Sequence, residues 1–326
     1  MPELPEVETV RAGLSRLIVG KTFKDVESDT PKSFPNAKAD VNQFLIDAEI
    51  KAVTRRAKVL LVELSTKYSL IIHLKMTGQL VFIGKPTSTM LSSPTKAGPA
   101  SCKEAGLGSS EKSAAAGDPE LRFGAGHPSD SLVNPLPDRS TRVTFEFSDG
   151  SKLFFNDQRK FGWARLLPTV EIPQLDFFKK VGPEPLAANF TWQIMRERLL
   201  RRKNTNIKAA LLDQSVIAGV GNIYADETLW GAKVHPSTLV KDLPDSKFKL
   251  LHSALVDVLN LSIAKGGSSS HTYVDAEGKK GSYLSFANVF RREGQPCPRC
   301  GTTIIKLRVA GRGTHICPKE QKLKQA

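Results

Sequence analysis

Two short stretches of this 326-residue chain gather side chains that could do chemistry. At the tail, Cys297-x2-Cys300-x16-Cys317-x2-Glu320 has the spacing of two knuckles, each presenting two ligands to one tetrahedral ion. One zinc ion is the expected cofactor, because thiolates are its usual structural donors. Glu320 takes the fourth ligand place, where a cysteine would complete the set. His315 is the nearest other donor, and in a strand it would point away from Cys317. A hairpin that has lost its metal is the alternative. At the head, MPELPEVETV puts a small residue after Met1, so removal of Met1 would leave Pro2 as a free secondary amine. An α-amine titrates near ~8, and its unprotonated form can attack a sugar C1′ or an aldehyde to give an iminium. Glu3 and Glu6 stand beside it, favoured at a helix start and able to move protons. On pattern alone, a frayed terminus with an acidic cap competes with this chemistry.

Groups so far apart in sequence need a scaffold to bring them together. Val7, Val10, Leu14, Leu17 and Ile18 recur at helical spacing, with Pro5 in the first turn and Gly20 as the stop. Strand-like runs follow at 58–64, 69–76, 79–84, 141–147 and 152–156, the last two joined by a Ser-Asp-Gly turn. These elements predict an α+β fold: a helix packed on an antiparallel β-sandwich over residues 1–168. Inside it, more than half of residues 85–137 are Ser, Gly, Pro or Ala, which predicts a flexible low-complexity insertion carrying Cys102. Residues 169–188 form a proline-punctuated linker, including VGPEPL. Helical spacing returns in WQIMRERLLRRK, IKAALLD, IYADETLWGA and SKFKLLHSALVDVLNLSIAK, giving a helical domain over 189–290. Residues 266–286 are mostly Gly, Ser and charged residues and read as a loop. Residues 291–326 read as a short cysteine-bearing hairpin.

Charge narrows the class of partner. Lys plus Arg number 47 against 33 Asp plus Glu, a net charge of +14, and half of that excess lies in 291–326. Clustered positive charge predicts a polyanionic partner. No run of about 20 apolar residues exists to span a bilayer, and no basic, then apolar, leader opens the chain. Few cysteines and no leader predict a cytosolic protein without a disulfide scaffold.

PELPEVETV, RRAKVLL at 55–61, HLKMTG at 73–78, GVGNIYADE at 219–227 and GRGTHIC at 311–317 jointly resemble the bacterial formamidopyrimidine-DNA glycosylases, over nearly the whole chain outside 85–137. The resemblance implies a β-sandwich, a helix–two-turn–helix domain whose loop at about 266–286 meets the lesion, and a zinc hairpin. It implies a monomer that binds double-stranded DNA containing oxidised bases. It further implies a bifunctional glycosylase and abasic-site lyase that removes 8-oxoguanine and formamidopyrimidines by β,δ-elimination. Pro2 matches the nucleophile and Glu3 the proton donor and acceptor. Lys58 matches a second acid, and Arg312 the hairpin arginine that grips phosphate. Met76, Arg159 and Phe161 match residues that fill the void left by an extruded nucleotide, chemistry suited to a thioether, an arginine and an aromatic ring. His73, Lys203, Lys208 and Asn222 match further DNA contacts; Gly219 and Gly221 would let the backbone near Asn222 approach a phosphate.

The chain departs from that pattern in places. Phe290-Arg291-Arg292 stands where relatives carry Tyr-Gly-Arg, Ser140 where they carry a histidine, and Glu320 where they carry cysteine. Leu4 argues against the sister enzymes for oxidised pyrimidines, which resemble PEGPE there. A non-catalytic damage sensor and a zinc-hairpin RNA-binding protein are the rivals from other classes.

Overall fold

The computed structural model describes residues 2–85, 121–126, 134–268 and 283–323. Helix α1 (Leu4–Ile18) buries the predicted stripe, with Val10, Leu14, Leu17 and Ile18 fully removed from solvent. Strand β1 (Phe23–Ser28) and short helix α2 (Lys38–Phe44) precede β2 (Ile50–Arg56), β3 (Val59–Leu64), β4 (Tyr68–His73) and β5 (Gly78–Gly84). Strands β6 (Leu121–Gly126), β7 (Thr141–Phe147), β8 (Lys152–Asp157) and β9 (Trp163–Pro168) complete the first domain. Two antiparallel sheets result, in the orders β1-β7-β8-β5-β6 and β2-β3-β4-β9. One core joins α1 to the inner faces of both, where Phe23, Phe82, Phe145 and Phe155 are fully buried.

Strand β6 corrects the expectation of a flexible insertion over 85–137 at residues 121–126. LRFGAG pairs with β5 along its whole length, from Gln79 opposite Gly126 to Gly84 opposite Leu121. Phe123 enters the core against α1, where a Cβ on Gly13 would lie 2.2 Å from its ring. One bulky aromatic in a small-residue context is enough to dock an edge strand, because apolar burial rewards the residue that reaches the core. Cys102 lies outside the described residues.

The linker contains a 3-10 turn at Thr169–Gln174 and helix α3 (Asp176–Lys180). Helices α4 (Trp192–Leu200), α5 (Ile207–Leu212), α6 (Asn222–Gly231) and α7 (Asp245–Ala264) follow the predicted segments, and their apolar sides form a second core around Tyr224, Leu229, Phe248 and Leu255. Of the loop expected at 266–286, residues 269–282 lie outside the described residues, and Tyr283–Phe286 form a single helical turn, α8. The tail hairpin pairs β10 (Ile305–Val309) with β11 (Arg312–Ile316) through a turn in which Ala310 and Gly311 both have positive φ. Among the described residues no helix is long and apolar enough to cross a membrane.

Candidate active site and nucleic-acid interface

The head of α1 is plugged into the helical domain rather than frayed. Pro2 is buried, and the Leu4 N–H donates to the Gly219 carbonyl at 3.0 Å. The Glu3 carboxylate accepts from the Ile223 N–H at 3.0 Å and the Tyr224 N–H at 3.4 Å, at the N-terminus of α6. Gly221 makes this possible: a Cβ there would sit 2.2 Å from the Glu3 Cδ. Gly219, at φ +81, turns the chain so that Leu4 can pack on it. Glu6 organises what surrounds this contact. Its carboxylate accepts from the Glu3 N–H at 2.8 Å, the Tyr224 hydroxyl at 2.5 Å and the Ser268 N–H at 2.8 Å, tying α1 to α6 and to the residue that opens the 269–282 segment.

Electrostatics at Glu3 follow from burial. Removal from water pushes its pKa from 4.5 up to about 7, with Glu6 adding to the rise, while Lys58 and the two backbone N–H groups oppose it. A carboxyl balanced near neutrality can both give and take a proton. Lys58 sits in the β2–β3 turn next to Ala57, whose φ is +54, and its Nζ donates to the Val220 carbonyl at 3.0 Å. Burial pushes the Lys58 ammonium below its ordinary pKa, although Glu3 and Glu6 counteract this. The turn is held from the linker by Glu184, which accepts from the Ala57 N–H at 2.5 Å, from Arg55 at 2.9 Å and from Arg56 at 2.9 Å. His73 lies across the strand pair from Val59, at the end of β4. Burial, with Lys75 and Lys58 nearby, drives its pKa down to about 3. Its Nδ1 accepts from the Lys75 N–H at 2.9 Å, so the neutral ring carries its proton on Nε2.

Arg312 is exposed at the start of β11 and close enough to Lys58 for its charge to act there. The strand behind it is clamped. Asn222 Nδ2 donates to the Gly313 carbonyl at 3.0 Å, and Lys208 Nζ donates to Thr314 Oγ1 at 2.6 Å and Asp226 Oδ1 at 2.7 Å. Lys208 was expected to contact DNA. Instead its side chain and that of Asp226 are wholly buried, so no phosphate can reach it, and its charge is spent inside the protein. Asp226 also accepts from the His315 N–H at 3.0 Å. Glu227, the next residue, accepts from the Asn288, Val289 and Phe290 N–H groups at 2.8–2.9 Å and fixes the entry to the tail. Lys203, in contrast, is exposed on the turn after α4.

Met76, Arg159 and Phe161 come together on a separate edge. Gly78 opposite Asp157 in the β5–β8 register sets the 74–77 turn beside the 158–162 turn. Asp157, fully buried, locks the two: it accepts from the Thr77 hydroxyl, the Arg159 N–H at 3.1 Å, the Phe161 N–H at 2.8 Å and the Gly162 N–H at 2.6 Å. The three side chains then project outward. Met76 is 38% and Phe161 48% exposed, so neither is a core residue. The Arg159 guanidinium lies 5.0 Å above the Phe161 ring, so a cation and an aromatic are presented as one unit.

At the tail, the sulfurs of Cys297, Cys300 and Cys317 lie within 4.8 Å of one another. Three converging thiols fit a zinc ion. Glu320 does not join them as the spacing predicted: its carboxylate pairs with Lys233 at 2.8 Å and Arg299 at 3.2 Å. His315 faces Asp226 and Phe290, away from the thiols, as expected of its strand position.

Glu6 was noted from sequence only as a possible proton carrier beside Pro2, and Glu184, Asp226, Glu227 and Asp157 were not picked out. An acidic residue on a helix or in a linker ordinarily reads as solvated, and only the three-dimensional fold shows that these five accept bonds across element boundaries.

Comparisons with known proteins agree along the chain. The family model of the formamidopyrimidine-DNA glycosylase N-terminal domain matches residues 1–164, that of the formamidopyrimidine-DNA glycosylase H2TH domain 181–274, and that of the zinc finger found in FPG and IleRS 294–319. Formamidopyrimidine-DNA glycosylases of Desulforamulus reducens and Ligilactobacillus salivarius are each 36% identical, over 99% of this chain and 100% of theirs. The Lactococcus lactis Fpg in complex with abasic-site DNA superposes with a TM-score of 0.77 at 32% identity, over 98% of this chain and 100% of that one. MutM bound to DNA containing carbocyclic 8-oxo-G gives 0.76 at 33% identity, over 99% of this chain and 100% of that one.

Proposed function

Because the chain belongs to the formamidopyrimidine-DNA glycosylase family, whose members are DNA glycosylases, we propose that it excises oxidised purines, chiefly 8-oxoguanine and formamidopyrimidines, from duplex DNA and cuts the strand at the abasic site. The observation that carries this reading is the buried Glu3, poised at a pKa of about 7 next to Pro2 and within the field of Lys58. Once Met1 is removed, the Pro2 nitrogen attacks C1′ of the damaged nucleotide. The C1′–N bond breaks, its electron pair leaves with the base, and the proton shed by the Pro2 nitrogen passes to the departing base. Glu3 as the acid gives its proton to the ring oxygen, and the sugar opens to an iminium on Pro2. Glu3 as carboxylate then takes a C2′ proton, and the electrons of that bond expel the 3′ phosphate while Lys58 serves as the second acid. A further elimination, with the C4′ proton lost to solvent, expels the 5′ phosphate, which pairs with Arg312. Hydrolysis of the imine returns the amine.

Met76 and the Arg159–Phe161 pair occupy the space of the extruded nucleotide, which offsets a few kcal/mol of lost stacking. Asn222, His73 and Lys203 bind the backbone. Zinc, held by Cys297, Cys300 and Cys317, would keep the tail hairpin in shape.

The test is end-labelled duplex carrying 8-oxoguanine opposite cytosine, beside an otherwise equal duplex carrying an oxidised pyrimidine. Faster scission at 8-oxoguanine, with phosphate on both ends of a one-nucleotide gap, is expected. Preference for the pyrimidine would overturn the purine assignment, and tight binding without scission would leave a damage sensor.

A further inference from the structure

The tail supplies three thiols to a spacing that has four ligand places, and the residue in the fourth place is already engaged. Glu320 Oε2 accepts from Lys233 Nζ at 2.8 Å and Arg299 Nη1 at 3.2 Å. Lys233 belongs to the turn that ends α6, whereas Glu320 and Arg299 belong to the tail. Arg299 also covers the face of Trp230 at 3.8 Å and donates to the Trp230 carbonyl at 3.2 Å, so both partners of the carboxylate are seated at the end of α6. The next residue extends the same seam. Gln321, almost wholly buried, donates to the Val234 carbonyl at 3.0 Å and accepts from the Cys317 N–H at 3.0 Å.

Charge balance favours this arrangement. A zinc ion with three thiolates carries one net negative charge, and a fourth anionic ligand would make it two. Leaving the carboxylate on an ammonium and a guanidinium neutralises it where it stands, in a site partly shielded from water. The hairpin strand itself is fastened without metal, through Lys208, Asp226 and Thr314.

We propose that Glu320 is a clasp and not a ligand: this chain binds zinc through Cys297, Cys300 and Cys317 alone, with the fourth position open to a donor from solution, while Glu320 and Gln321 fasten the tail to the end of α6. An open fourth position is otherwise the mark of sites that exchange ligands, whereas closed structural sites fill all four places from the protein. The proposal is independent of the lesion chemistry and is tested without an activity readout.

Cobalt(II) loaded into the full chain is the probe, because its visible bands report the ligand set. Added imidazole is expected to shift the bands of the unaltered protein by entering the open position. Glu320→Gln is expected to leave the cobalt spectrum and its imidazole response unchanged. The same variant should speed hydrogen exchange of the amides at 317–321 by on the order of tenfold as the clasp loosens. Glu320→Cys, which fills the place with a thiolate, should abolish the imidazole response and tighten zinc binding by on the order of tenfold or more. A wild-type spectrum indifferent to imidazole, or one that changes in Glu320→Gln, would overturn the proposal, as would failure of the full chain to bind cobalt or zinc. Should either variant not fold, the imidazole titration of the unaltered protein decides alone.

Discussion

Replacing Glu3 with glutamine should stabilise the DNA-free protein, and by an amount that depends on pH. Burial raises this carboxyl from 4.5 to about 7, so the folded chain binds its proton more tightly than the unfolded chain does. Well below pH 4.5 the group is neutral in both states and carries no penalty. As pH rises from 4.5 to 7 the folded state loses stability, and above 7 both states are ionised and the loss levels off. At ~1.36 kcal/mol per tenfold, the full penalty is about 3 kcal/mol. About a quarter of it is developed at pH 5 and nearly all at pH 8. The stability gained on Glu3→Gln should therefore be about 2–3 kcal/mol larger at pH 8 than at pH 5. Any fixed mismatch between the new amide and the Ile223 N–H cancels in that difference. Urea unfolding of both proteins at the two pH values measures it, from midpoints and slopes. Equal gains at both pH values, or a larger gain at pH 5, would refute the argument that burial sets the state of Glu3.

Other residues make separate demands. Gly221→Ala should keep the fold yet lower the rate of base excision by on the order of a hundredfold, because a Cβ 2.2 Å from the Glu3 Cδ displaces the carboxylate; single-turnover kinetics would read it. Lys208→Met should cost about 3–5 kcal/mol of stability by stranding the buried Asp226, without changing the salt slope of DNA binding, whereas Arg312→Ala should lower that slope by about one. Phe161→Ala and Arg159→Ala should each weaken binding to an abasic duplex by about 1–3 kcal/mol while leaving the melting temperature unchanged, since both side chains are exposed.

Legibility in the sequence followed the physical strength of each signal. The four long helical segments and the α1 stripe were readable because one face of each meets a core at regular spacing, as in Phe248, Leu251, Leu255 and Leu259. Most of the sandwich was readable from alternation in 141–147 and from apolar runs at 58–64 and 79–84. Strands β1, β2 and β9 were missed because charged residues occupy their outer faces, and β6 because its neighbours in sequence resemble a linker. Pro2 and Glu3 drew notice as a terminal amine beside a carboxyl, but a frayed terminus competed on pattern alone, and only the family resemblance gave them roles. Lys208 was misjudged for a different reason: a match in residue type says nothing about exposure, and α6, buried from Tyr224 to Trp230, offers no polar face to announce that Asp226 points inward to receive it. Glu320 marks the same limit, since spacing names a ligand place but cannot reveal Lys233, 87 residues earlier in sequence, with which the carboxylate pairs.

The central claim is that the nitrogen of Pro2 becomes bonded to C1′ of the damaged nucleotide. Borohydride reduction during turnover of a duplex with one 8-oxoguanine opposite cytosine, followed by peptide mass mapping, tests it directly. The account predicts a covalent adduct whose nucleotide remnant sits on a peptide beginning at Pro2, with Met1 gone, and whose yield collapses in Pro2→Gly and Glu3→Gln. Strand scission without a trapped adduct, or an adduct mapped to a lysine such as Lys58, would contradict it.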